Sequence, residues 1–559
     1  MGRNFIEDAN TVEKYRLTNK REWIFINSSF QEQLKSDFMK QNSKPVSVRG
    51  MILFMIGLLN VIIICSSYVY NESWYWWLLV SAALLVIAVM DSTQKQHAVT
   101  RNYPVIGHFR YFFEWIRPEL RQYFFESDLD GKPFNRRQRS IVYQRAKNEK
   151  QTVSFGMQAD PTKPGYEWTS HSIYPVTLKE KDLRVWIGNY QCMQPYHASI
   201  FNVGAMSYGA LSKTAIVSLN EGASLGKFAH NNGEGGISEY HLRGGDLIWQ
   251  IGTGYFGCRD VNGRFSPLAF RKNALLPQVK MIELKLSQGA KPGHGGILPA
   301  AKNTPEIAAI RMVVPGTTVH SPTRHSEFSS PKELIGFLQS LRELSDGKPV
   351  GFKLCIGDKQ EFIDLCHAIT ETGIMPDFVS IDGAEGGTGA APLEFTDHVG
   401  MPLYEALAFA KQTLDAFKLS EHIKLIAAGK IITGFDVLKA MSLGASLCYS
   451  SRGMMMALGC IQALVCDSGR CPVGVATQNP SLYKGLHPAD KSVRVANFHL
   501  KTIEATKEIM EACGFKRIEN IHPSKFFRRV NEHEVKSFEE IYFHEKGNVL
   551  INKLKSQLN

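Results

Sequence analysis

The chain has 559 residues, of which 44% are apolar and 11% aromatic, a length that exceeds one ordinary domain but accommodates a barrel of about 250 residues with appendages. Its net charge of +11 is compatible with a nucleic acid, an anionic membrane surface or anionic ligands as partners. Nine Lys and Arg residues lie in 1–50 and twelve in 91–150, on either side of one apolar region and without a nucleic-acid-binding motif, so we expect a membrane and no nucleic acid.

Two apolar segments without charged side chains predict a membrane hairpin. Residues 51–70 and 74–90 each approach the ~20 residues with which a helix crosses a bilayer. Basic residues flank both outer ends, which places both termini and everything after the hairpin on the cytoplasmic side of an inner membrane. The alternative is a pair of buried core helices. The prediction is a cytoplasmic segment over 1–50 and a two-pass transmembrane hairpin over 51–90.

Residues 91–195 are predicted to be a linker and pre-barrel region, because they are rich in charge and aromatic residues but only weakly periodic. Within them, 134–148 reads as a basic helix. Its charges belong either to a solvated face, which we favour, or to contacts with lipid headgroups.

From about residue 196 to 515, short apolar runs alternate with helix-length amphipathic segments, which is typical of repeated βα units. Most of the candidate strands end in Gly, Asp, Lys or Ser, and a (β/α)8 barrel builds its active site from the loops at these ends. A doubly wound sheet is less consistent, because no early G-x-G-x-x-G turn opens the unit. The fold predicted is therefore α/β, a (β/α)8 TIM barrel over 196–515 preceded by the transmembrane hairpin, with a polar tail over 516–559. Candidate strands are 199–204, 226–231, 279–286, 349–355, 378–383, 424–429 and 445–450, and candidate helices are 331–345, 359–371, 402–417 and 434–441.

Three closely spaced cysteines, Cys460, Cys466 and Cys471, are the sharpest local signal. Thiolates are soft ligands that favour iron–sulfur clusters or zinc. A structural zinc site would normally take a fourth ligand, and no adjacent Cys or His supplies one, so the three thiolates suit a three-iron cluster. The alternative is three unrelated thiols on a packed helix and loop. The ten cysteines of the chain otherwise show no secreted disulfide framework, which favours a reducing, cytosolic setting.

Glycine-rich runs follow or end several candidate strands. They are GAMSYGALS (204–212), NNGEGG (231–236), QIGTGYFG (250–257) and KLSQGAKPGHGG (285–296). Each offers backbone N–H groups that can cradle a phosphate or a flavin edge. Each run is weak evidence alone, but four of them in the order of successive barrel loops are stronger.

Residues from about 195 to 515 resemble the FMN-binding synthase domain of glutamate synthase. The spacing of the three cysteines is highly specific to that family, and residues 450–460 are more similar to its stand-alone, archaeal-type members than to the large multidomain enzymes. The matching stretches are the four glycine-rich runs together with IDGAEGGTGAAP (381–392), AAGKIITGFDV (427–437) and ALGCIQALVCDSGRCPVGVATQ (457–478).

The resemblance implies FMN across the mouth of the barrel and a [3Fe–4S] cluster held by the three cysteines. Phosphate binding in the loops after the last two strands agrees with the usual position in such barrels. A cation at Lys353 would stabilise the reduced flavin, and the alternative for this residue is a surface lysine. The implied flavin contacts are Met206, Ser207, Gln250, Lys353, Asp382, Gly386, Gly387 and Thr388, and the implied phosphate contacts are Gly429, Lys430, Ser451 and Arg452.

The resemblance also implies an oxo-acid site, with catalytic roles for Glu234 and Lys291. A dicarboxylate needs cations at both ends, which Arg311 and two lysines offer. The alternative for Lys291 and Arg311 is surface charge. The implied substrate-binding residues are Lys285, Lys291, Arg311 and Ser330.

Two departures from the family pattern concern this substrate site. The family's KPGEGGQLPG is KPGHGGILPA here, so that Ile297 replaces a glutamine and His294 an acidic residue, and the family's PPPHH is PTRHS at 322–326. Loss of a hydrogen-bonding amide can change which of two related substrates is accepted.

The predicted function is that of a glutamate-synthase-like oxidoreductase acting on CH–NH2 donors, which reduces an imino acid formed from 2-oxoglutarate and ammonia to glutamate. The large glutamate synthases begin with a catalytic cysteine, whereas residue 2 here is a glycine, so glutamine hydrolysis is not expected. No dinucleotide-binding domain is apparent, so electrons are expected from a partner such as ferredoxin or a separate reductase subunit. The alternatives are a flavoenzyme for a different oxo acid or imine, and a membrane-anchored FMN and iron–sulfur electron-transfer or sensor protein without turnover.

Overall fold

The computed structural model describes residues 47–149, 151–179 and 183–543. The predicted cytoplasmic segment 1–50 therefore lies outside the described residues except for 47–50, as does the end of the predicted tail, 544–559. The chain divides into two compact units, Met1–Gly131 and Lys132–Asn559.

The described part of the first unit is helical, and its two longest helices coincide with the predicted hairpin. Asn60 Nδ2 donates to Ser81 O at 3.2 Å, and Ser81 Oγ donates to Asn60 Oδ1 at 3.0 Å, so a reciprocal polar pair joins the two apolar helices. Both helices are long and apolar enough to cross a membrane, and few of their side chains are buried. The membrane crossing itself stays a prediction. The helices of this unit are Val48–Val69, Trp76–Thr93, Ala98–Asn102 and Gly107–Leu120, with short helical turns at Glu72–Tyr75 and Arg121–Phe125.

The second unit is built on a closed barrel of eight parallel strands, which confirms the predicted fold class. Seven strands fall on predicted segments. The third strand of the barrel, Asp246–Ile251, was not predicted, because the polar residues Asp246 and Gln250 bracket a short apolar run. The strands are β1 (Phe201–Val203), β2 (Ala229–Asn231), β3 (Asp246–Ile251), β4 (Val279–Lys285), β5 (Val350–Leu354), β6 (Phe378–Asp382), β7 (Lys424–Ala428) and β8 (Ala445–Ser450).

Helices follow most of the strands, and the four predicted ones are confirmed within two residues at each end. Two single turns, Gly233–Gly235 and Glu239–His241, follow β2 instead of a helix. The predicted basic helix has a buried side, because Val142 and Ala146 are packed in the core. The predicted solvated face therefore accounts for only one side of this helix. The helices are Arg136–Ala146, Lys213–Gly226, Pro267–Ala274, Pro305–Arg311, Pro331–Leu344, Lys359–Thr372, Leu393–His398, Leu403–Ala416, Gly434–Ser442, Arg452–Leu458, Pro480–Tyr483, Pro488–Cys513 and Phe538–Tyr542.

The described part of the predicted polar tail is folded onto the barrel. Glu167–Thr169 pairs antiparallel with Phe526–Arg529, which in turn pairs with Val535–Ser537. Phe526 and Phe538 are fully buried in the main core. Residues before and after the barrel thus share one small sheet.

A buried ion pair lies at the amino-terminal end of the barrel. Asp377 Oδ2 accepts from Arg342 Nη2 at 3.0 Å and from Val350 N at 2.8 Å, and Asp377 Oδ1 accepts from Asn189 N at 2.8 Å. Asn189 belongs to the connection between Arg184–Ile187 and Tyr196–Ser199, an antiparallel hairpin. The carboxylate therefore ties the hairpin to β5 at the end of the barrel that faces away from the strands' carboxyl termini.

We expect Asp377→Asn to lower the free energy of unfolding by about 3–5 kcal/mol, because it leaves the buried Arg342 guanidinium without its counter-ion. Chemical denaturation followed by circular dichroism measures the loss. The matched control is Asp415→Asn, which removes an exposed i,i+4 pair with Lys411 and should cost less than about 1 kcal/mol. Equal effects of the two variants would contradict the prediction.

Candidate functional site

The predicted cofactor and substrate residues gather at the end of the barrel where the strands have their carboxyl termini. In a parallel barrel these ends share one mouth. Met206 and Ser207 follow β1, Glu234 follows β2, Gln250 lies in β3, Lys285 ends β4, Lys353 lies in β5, Asp382 ends β6, Gly429 and Lys430 follow β7, and Ser451 and Arg452 follow β8.

A buried carboxylate that was not predicted, Glu283, lies below the mouth. It accepts hydrogen bonds from Asn231 Nδ2 at 2.7 Å, Gln250 Nε2 at 2.6 Å and Ser380 Oγ at 2.5 Å. Four strands are thereby connected by one side chain with no exposed surface. The network fixes the predicted cofactor contact Gln250, and its only sequence signal was a glutamate inside the apolar run of β4.

Lys353 and Asp382 form a buried pair on neighbouring strands. Lys353 Nζ lies 3.1 Å from Asp382 Oδ2, which also accepts from Gly289 N at 3.0 Å. Burial alone would lower the pKa of Lys353, but Asp382 and Glu283 outweigh it and hold the pKa above its ordinary value. Lys353 is therefore a permanent buried cation at the mouth, and the surface-lysine alternative is excluded.

Glu234 is surrounded by three cations. Its Oε1 accepts from Lys285 Nζ at 2.9 Å. Burial would raise the pKa of Glu234, but Lys285, Arg311 and Lys291 together hold it below its ordinary value. The three cations are 8%, 5% and 2% exposed, so the surface-charge alternative for Arg311 and Lys291 is wrong. One carboxylate among three buried cations leaves a local excess of positive charge.

Arg311 is held in place by few partners. Its Nη2 donates to Tyr208 O at 3.0 Å and to Ser207 Oγ at 3.3 Å, and the guanidinium lies 5.1 Å from the centre of the Phe256 ring. Its buried Nε has no hydrogen-bond partner among the described residues. Burial lowers the pKa of Arg311 to about 10, against the opposing charge of Glu234. The group is desolvated and retains an unused donor.

Lys291 reaches across the loop after β4. Its Nζ donates to Gly295 O at 2.8 Å and to Ala390 O at 3.4 Å. Burial, followed by the neighbouring charge of Lys285, lowers the pKa of Lys291. A cleft opens beside this loop. Its walls are Glu234, Thr253 and residues 285–288, 293–296 and 322–323.

Ser330 is not among the residues that line this cleft. Its Oγ accepts from Glu333 N at 3.3 Å and caps the helix Pro331–Leu344. His325 is the buried member of the departing PTRHS stretch: Nδ1 lies 2.9 Å from Tyr255 Oη and Nε2 lies 2.9 Å from Lys285 O. It therefore supports the backbone of a predicted substrate residue, a role that a single sequence gave no means to see.

Burial lowers the pKa of His325 from 6.5 to about 4, against a smaller opposing effect of its hydrogen bond to Lys285 O. Because the folded pKa is the lower one, the unfolded chain binds more protons between pH 6.5 and pH 4, and stability falls as the pH falls through this window. At 1.36 kcal/mol per pKa unit, His325 accounts for about 3 kcal/mol of this acid loss. We expect His325→Gln to flatten the stability curve over this range in urea titrations, and the exposed control His171→Gln to leave it unchanged.

The loops after β7 and β8 bring two cations together. Burial and the charge of Arg452 both lower the pKa of Lys430. Arg452 Nη2 donates to Glu385 O, and its guanidinium lies 4.9 Å from the centre of the Phe134 ring. A Cβ at Gly204 would come within 2.3 Å of Ser451 Oγ. Lys430 is exposed and Arg452 is half-buried, so two neighbouring cations beside glycine-lined backbone form an accessible site suited to an anion.

The loop after β6 lies between the loops after β4 and β8. A Cβ at Gly386 would lie 3.1 Å from Ala290 N, and one at Gly387 would lie 3.0 Å from Arg452 Nη1. Thr388 follows and is exposed. The structure thus brings the predicted phosphate and flavin contacts of β6 to β8 into one region.

The three cysteines lie on the segment after the helix Arg452–Leu458. Burial raises the pKa of the Cys460 thiol to about 11 and raises that of Cys466 as well, with a further contribution from the Cys471 thiol near both. A single tetrahedral ion with metal–sulfur distances of 2.3 Å needs sulfurs about 3.8 Å apart. Among the described residues, no group of three or more His, Cys, Asp or Glu side chains is placed to hold one metal ion. The iron–sulfur cluster therefore stays a prediction.

The cysteine segment adjoins the mouth of the barrel. A Cβ at Gly389, in the loop after β6, would lie 3.1 Å from Asp467 N. Lys302 Nζ donates to Cys466 O at 2.7 Å and is buried. Tyr143 Oη donates to Cys460 O at 2.7 Å. The cysteines and the predicted cofactor loop are therefore neighbours.

Comparison with known sequences gives one family and several relatives. The model of the conserved region in glutamate synthase matches residues 172–516. The glutamate synthase large subunit-like protein YerD of Bacillus subtilis is 37% identical over 518 residues, which cover 85% of this chain and 94% of that protein. The archaeal glutamate synthase [NADPH] of Methanocaldococcus jannaschii is 37% identical over 325 residues, 58% of this chain and 60% of that protein. The archaeal-type glutamate synthase [NADPH] of Thermotoga maritima is 35% identical over 334 residues, 59% of this chain and 62% of that protein.

Solved structures offer more distant likenesses. A mutant flavocytochrome b2 with pyruvate bound has a TM-score of 0.40 and 13% identity, covering 74% of this chain and 85% of that chain. A mandelate oxidase mutant with the monooxide FMN adduct has a TM-score of 0.38 and 14% identity, covering 73% of this chain and 94% of that chain. Neither likeness is close enough to bear on ligands or chemistry.

Proposed function

The chain belongs to the family defined by the conserved region of glutamate synthase, and we propose that it is an FMN- and iron–sulfur-dependent oxidoreductase that reduces an imino acid, formed from 2-oxoglutarate and ammonia, to glutamate. Relatives that are named glutamate synthases share about a third of their residues with it over the barrel. The barrel mouth supplies the chemical argument.

The observation that carries the proposal is the single carboxylate among three buried cations. Glu234 supplies one negative charge against the three positive charges of Lys285, Lys291 and Arg311. Buried charges are retained where a partner compensates them, and a dicarboxylate would balance the remaining two. The unused Nε of Arg311 gives such a ligand a further donor, as bidentate binding of a carboxylate requires.

In this proposal Arg311 and Lys285 hold the carboxylates of the oxo acid, and Lys291 donates to the oxo group. Glu234 Oε1 accepts a hydrogen bond from ammonia and afterwards from the imine nitrogen, which it orients. Its lowered pKa makes the Lys291 ammonium a stronger acid than that of an ordinary lysine, which suits it to donate a proton to the oxo group. Residues 293–296 of the loop after β4 line this cleft and would limit the access of water to the imine.

FMN fits the residues at the other side of the mouth. Lys430 and Arg452 would hold its phosphate, and the negative charge of the phosphate would reduce the repulsion between these two cations. Lys353 would face the flavin as a permanent cation. Bound there, FMN supplies the hydride for the imine carbon. The protein contributes the position and the charge.

The three cysteines would hold a [3Fe–4S] cluster. Thiolates are the preferred ligands of such clusters, and the cysteine segment lies against the loop after β6. The cluster would receive electrons from a separate donor, ferredoxin or a reductase subunit.

The apolar hairpin would anchor the chain in an inner membrane, with both termini and the barrel on the cytoplasmic side, since its exposed apolar length needs lipid.

The proposal is tested on the purified full-length chain by acid extraction of flavin, iron determination and anaerobic turnover. We expect bound FMN, bound iron, and formation of glutamate from 2-oxoglutarate and ammonia with reduced ferredoxin or viologen. Protein without flavin and iron would refute the cofactor assignment. Protein that carries both but gives no turnover would refute only the reaction.

Arg452→Gln tests the phosphate site. Loss of one charge-assisted hydrogen bond of about 1.5–3 kcal/mol should weaken FMN binding about 10- to 100-fold. The flavin that remains bound after gel filtration, and fluorescence titration of FMN into the stripped protein, measure the change. The control Lys332→Gln removes an exposed cation paired with Glu371 and should bind FMN as the wild type does. Unchanged affinity in Arg452→Gln would place the phosphate elsewhere.

A different oxo acid is a second candidate substrate, and the loop after β4 favours it. Ile297 stands where the family has a glutamine, and Ser326 stands where it has the second histidine of PPPHH. The histidine that is retained, His325, is held by Tyr255 Oη and Lys285 O inside the protein. The distal end of the substrate would then meet fewer polar groups, which can alter selectivity between related acids. Turnover of 2-oxoglutarate compared with shorter and less polar 2-oxo acids decides between the two.

A further inference from the structure

The helix Gly107–Leu120, the second one after the apolar hairpin, carries an exposed stripe of aromatic side chains. Phe109, Phe112 and Phe113 recur at the i, i+3, i+4 spacing of one helix face and are 60%, 50% and 58% exposed. Ile116 and Leu120 continue the same face, and the helical turn that follows, Arg121–Phe125, ends in the exposed pair Phe124 and Phe125, which are 77% and 79% exposed. We call the face formed by Phe109, Phe112, Phe113, Ile116 and Leu120 the aromatic stripe.

Arginines border this stripe on one side. Arg110, Arg117 and Arg121 are spaced at i, i+7 and i+11 and therefore lie along one edge of the helix. Arg110 pairs with Glu114 at 3.2 Å, but both side chains are more than half exposed, so this pair is weak. A row of guanidinium groups beside an aromatic face matches the chemistry of an anionic lipid surface, in which rings enter the acyl boundary and guanidinium groups meet phosphates.

The start of this helix is fixed to the end of the hairpin. Asp91, in the last turns of Trp76–Thr93, accepts from Val105 N at 2.8 Å and lies 2.9 Å from His108 Nε2. A Cβ at Gly107 would lie 2.7 Å from Thr100 Cα, so the backbone at the start of this helix is in close contact with the backbone at Thr100. The aromatic stripe therefore begins beside the end of an apolar helix of membrane-spanning length.

We propose that Gly107–Leu120 lies in the interface of an anionic bilayer, with the aromatic stripe among the acyl chains and the arginine row at the lipid phosphates. The inference extends the proposed membrane hairpin, which shares the same unit of the chain. The helix would be a second, surface-bound contact with lipid. The aromatic stripe could be covered by lipid, by residues 1–46 or by a second copy of the chain. The continuity of the helix with the apolar hairpin and its arginine row favour lipid.

Site-specific photocrosslinking in vesicles of phosphatidylcholine and phosphatidylglycerol tests the orientation. The photoreactive residue benzoylphenylalanine replaces Phe113, on the stripe, or Glu114, on the far side of the arginine row, in the full-length chain. A third chain carries it at Leu79, which is 67% exposed on the second apolar helix. Thermal melting selects chains that fold as the wild type does. We expect several-fold more lipid adducts from position 113 than from position 114, and fewer from position 113 when phosphatidylglycerol is omitted.

Protein adducts in place of lipid adducts at position 113 would overturn the proposal and would identify residues 1–46, the barrel or a second copy as the occupant. Equal lipid labelling at positions 113 and 114 would also overturn it, because the helix would then not be oriented in an interface. Labelling unaffected by phosphatidylglycerol would refute the anionic surface. An absence of lipid adducts at position 79 refutes the hairpin separately, while positions 113 and 114 still decide on the helix.

Discussion

We expect the Cys466→Ser chain to lose its iron and its ferredoxin-dependent turnover while it keeps FMN. A serine hydroxyl is a far poorer soft ligand than a thiolate, and two cysteines do not suffice for a cluster that uses three. The flavin should remain, because the cation pair Lys430 and Arg452 belongs to other loops. Iron and sulfide determination, electron paramagnetic resonance and the flavin absorbance measure the three expectations.

Cys192→Ser is the matched control for this variant. Cys192 is also partly buried, and its Sγ contacts Gly347 O at 3.4 Å at the opposite end of the barrel. The same chemical change there should leave iron and turnover intact. Iron retained in Cys466→Ser would contradict the ligand assignment, and iron lost in both variants would point to general unfolding.

The cysteine segment also explains why Lys302 is buried. Its ammonium donates to Cys466 O and lies close to the thiols of Cys466 and Cys471. Burial lowers the pKa of Lys302, and these neighbours oppose the shift. A buried cation beside three thiolates would offset part of their negative charge, which is the arrangement that an anionic cluster needs.

The barrel was predictable from sequence because its strands end in chemically distinctive residues. Lys285, Lys353 and Asp382 stand at or near the ends of apolar runs, and parallel strands bring such ends to one mouth. Glu234 and Lys430 were assigned by the resemblance to glutamate synthase, and they lie in the glycine loops after β2 and β7. Side chains whose function depends on a strand end are thus predictable from the strand pattern.

Residues that act through tertiary contacts were not predictable in the same way. Glu283 lies inside an apolar strand, and His325 lies in a loop 40 residues after the carbonyl that it contacts. Phe526 belongs to a segment that looks like a polar tail, yet it is buried because it packs in the core of the barrel unit. A single sequence records none of these partners. Ser330 shows the converse, since its hydroxyl caps a helix and does not reach the cleft.

Glu234→Gln should separate substrate binding from turnover. The variant removes the carboxylate that pairs with Lys285 and that is influenced by the charges of Arg311 and Lys291, and an amide cannot orient ammonia as a carboxylate does. We expect turnover to fall by about 10²- to 10⁴-fold, as for loss of a positioned acid–base group. Binding of 2-oxoglutarate should be retained or strengthened, because three cations then face the ligand. Steady-state kinetics and calorimetric titration measure the two effects.

Stability gives a second, independent reading of the same substitution. Removing one member of a buried ion pair costs about 3–5 kcal/mol, and Glu234 and Lys285 side chains are only 18% and 10% exposed. The pKa of Glu234 is held low in the folded chain, so its contribution is complete above the unfolded pKa of about 4.3 and is lost as the pH falls through the folded pKa. Wild type and variant should therefore differ in thermal stability at pH 7 and converge in acid, and 2-oxoglutarate should restore more stability to the variant than to the wild type. The exposed Glu239→Gln, five residues along the same loop, should show none of these effects. A Glu234→Gln chain that turns over as the wild type does would remove the carboxylate from the reaction and leave it as a counter-ion alone.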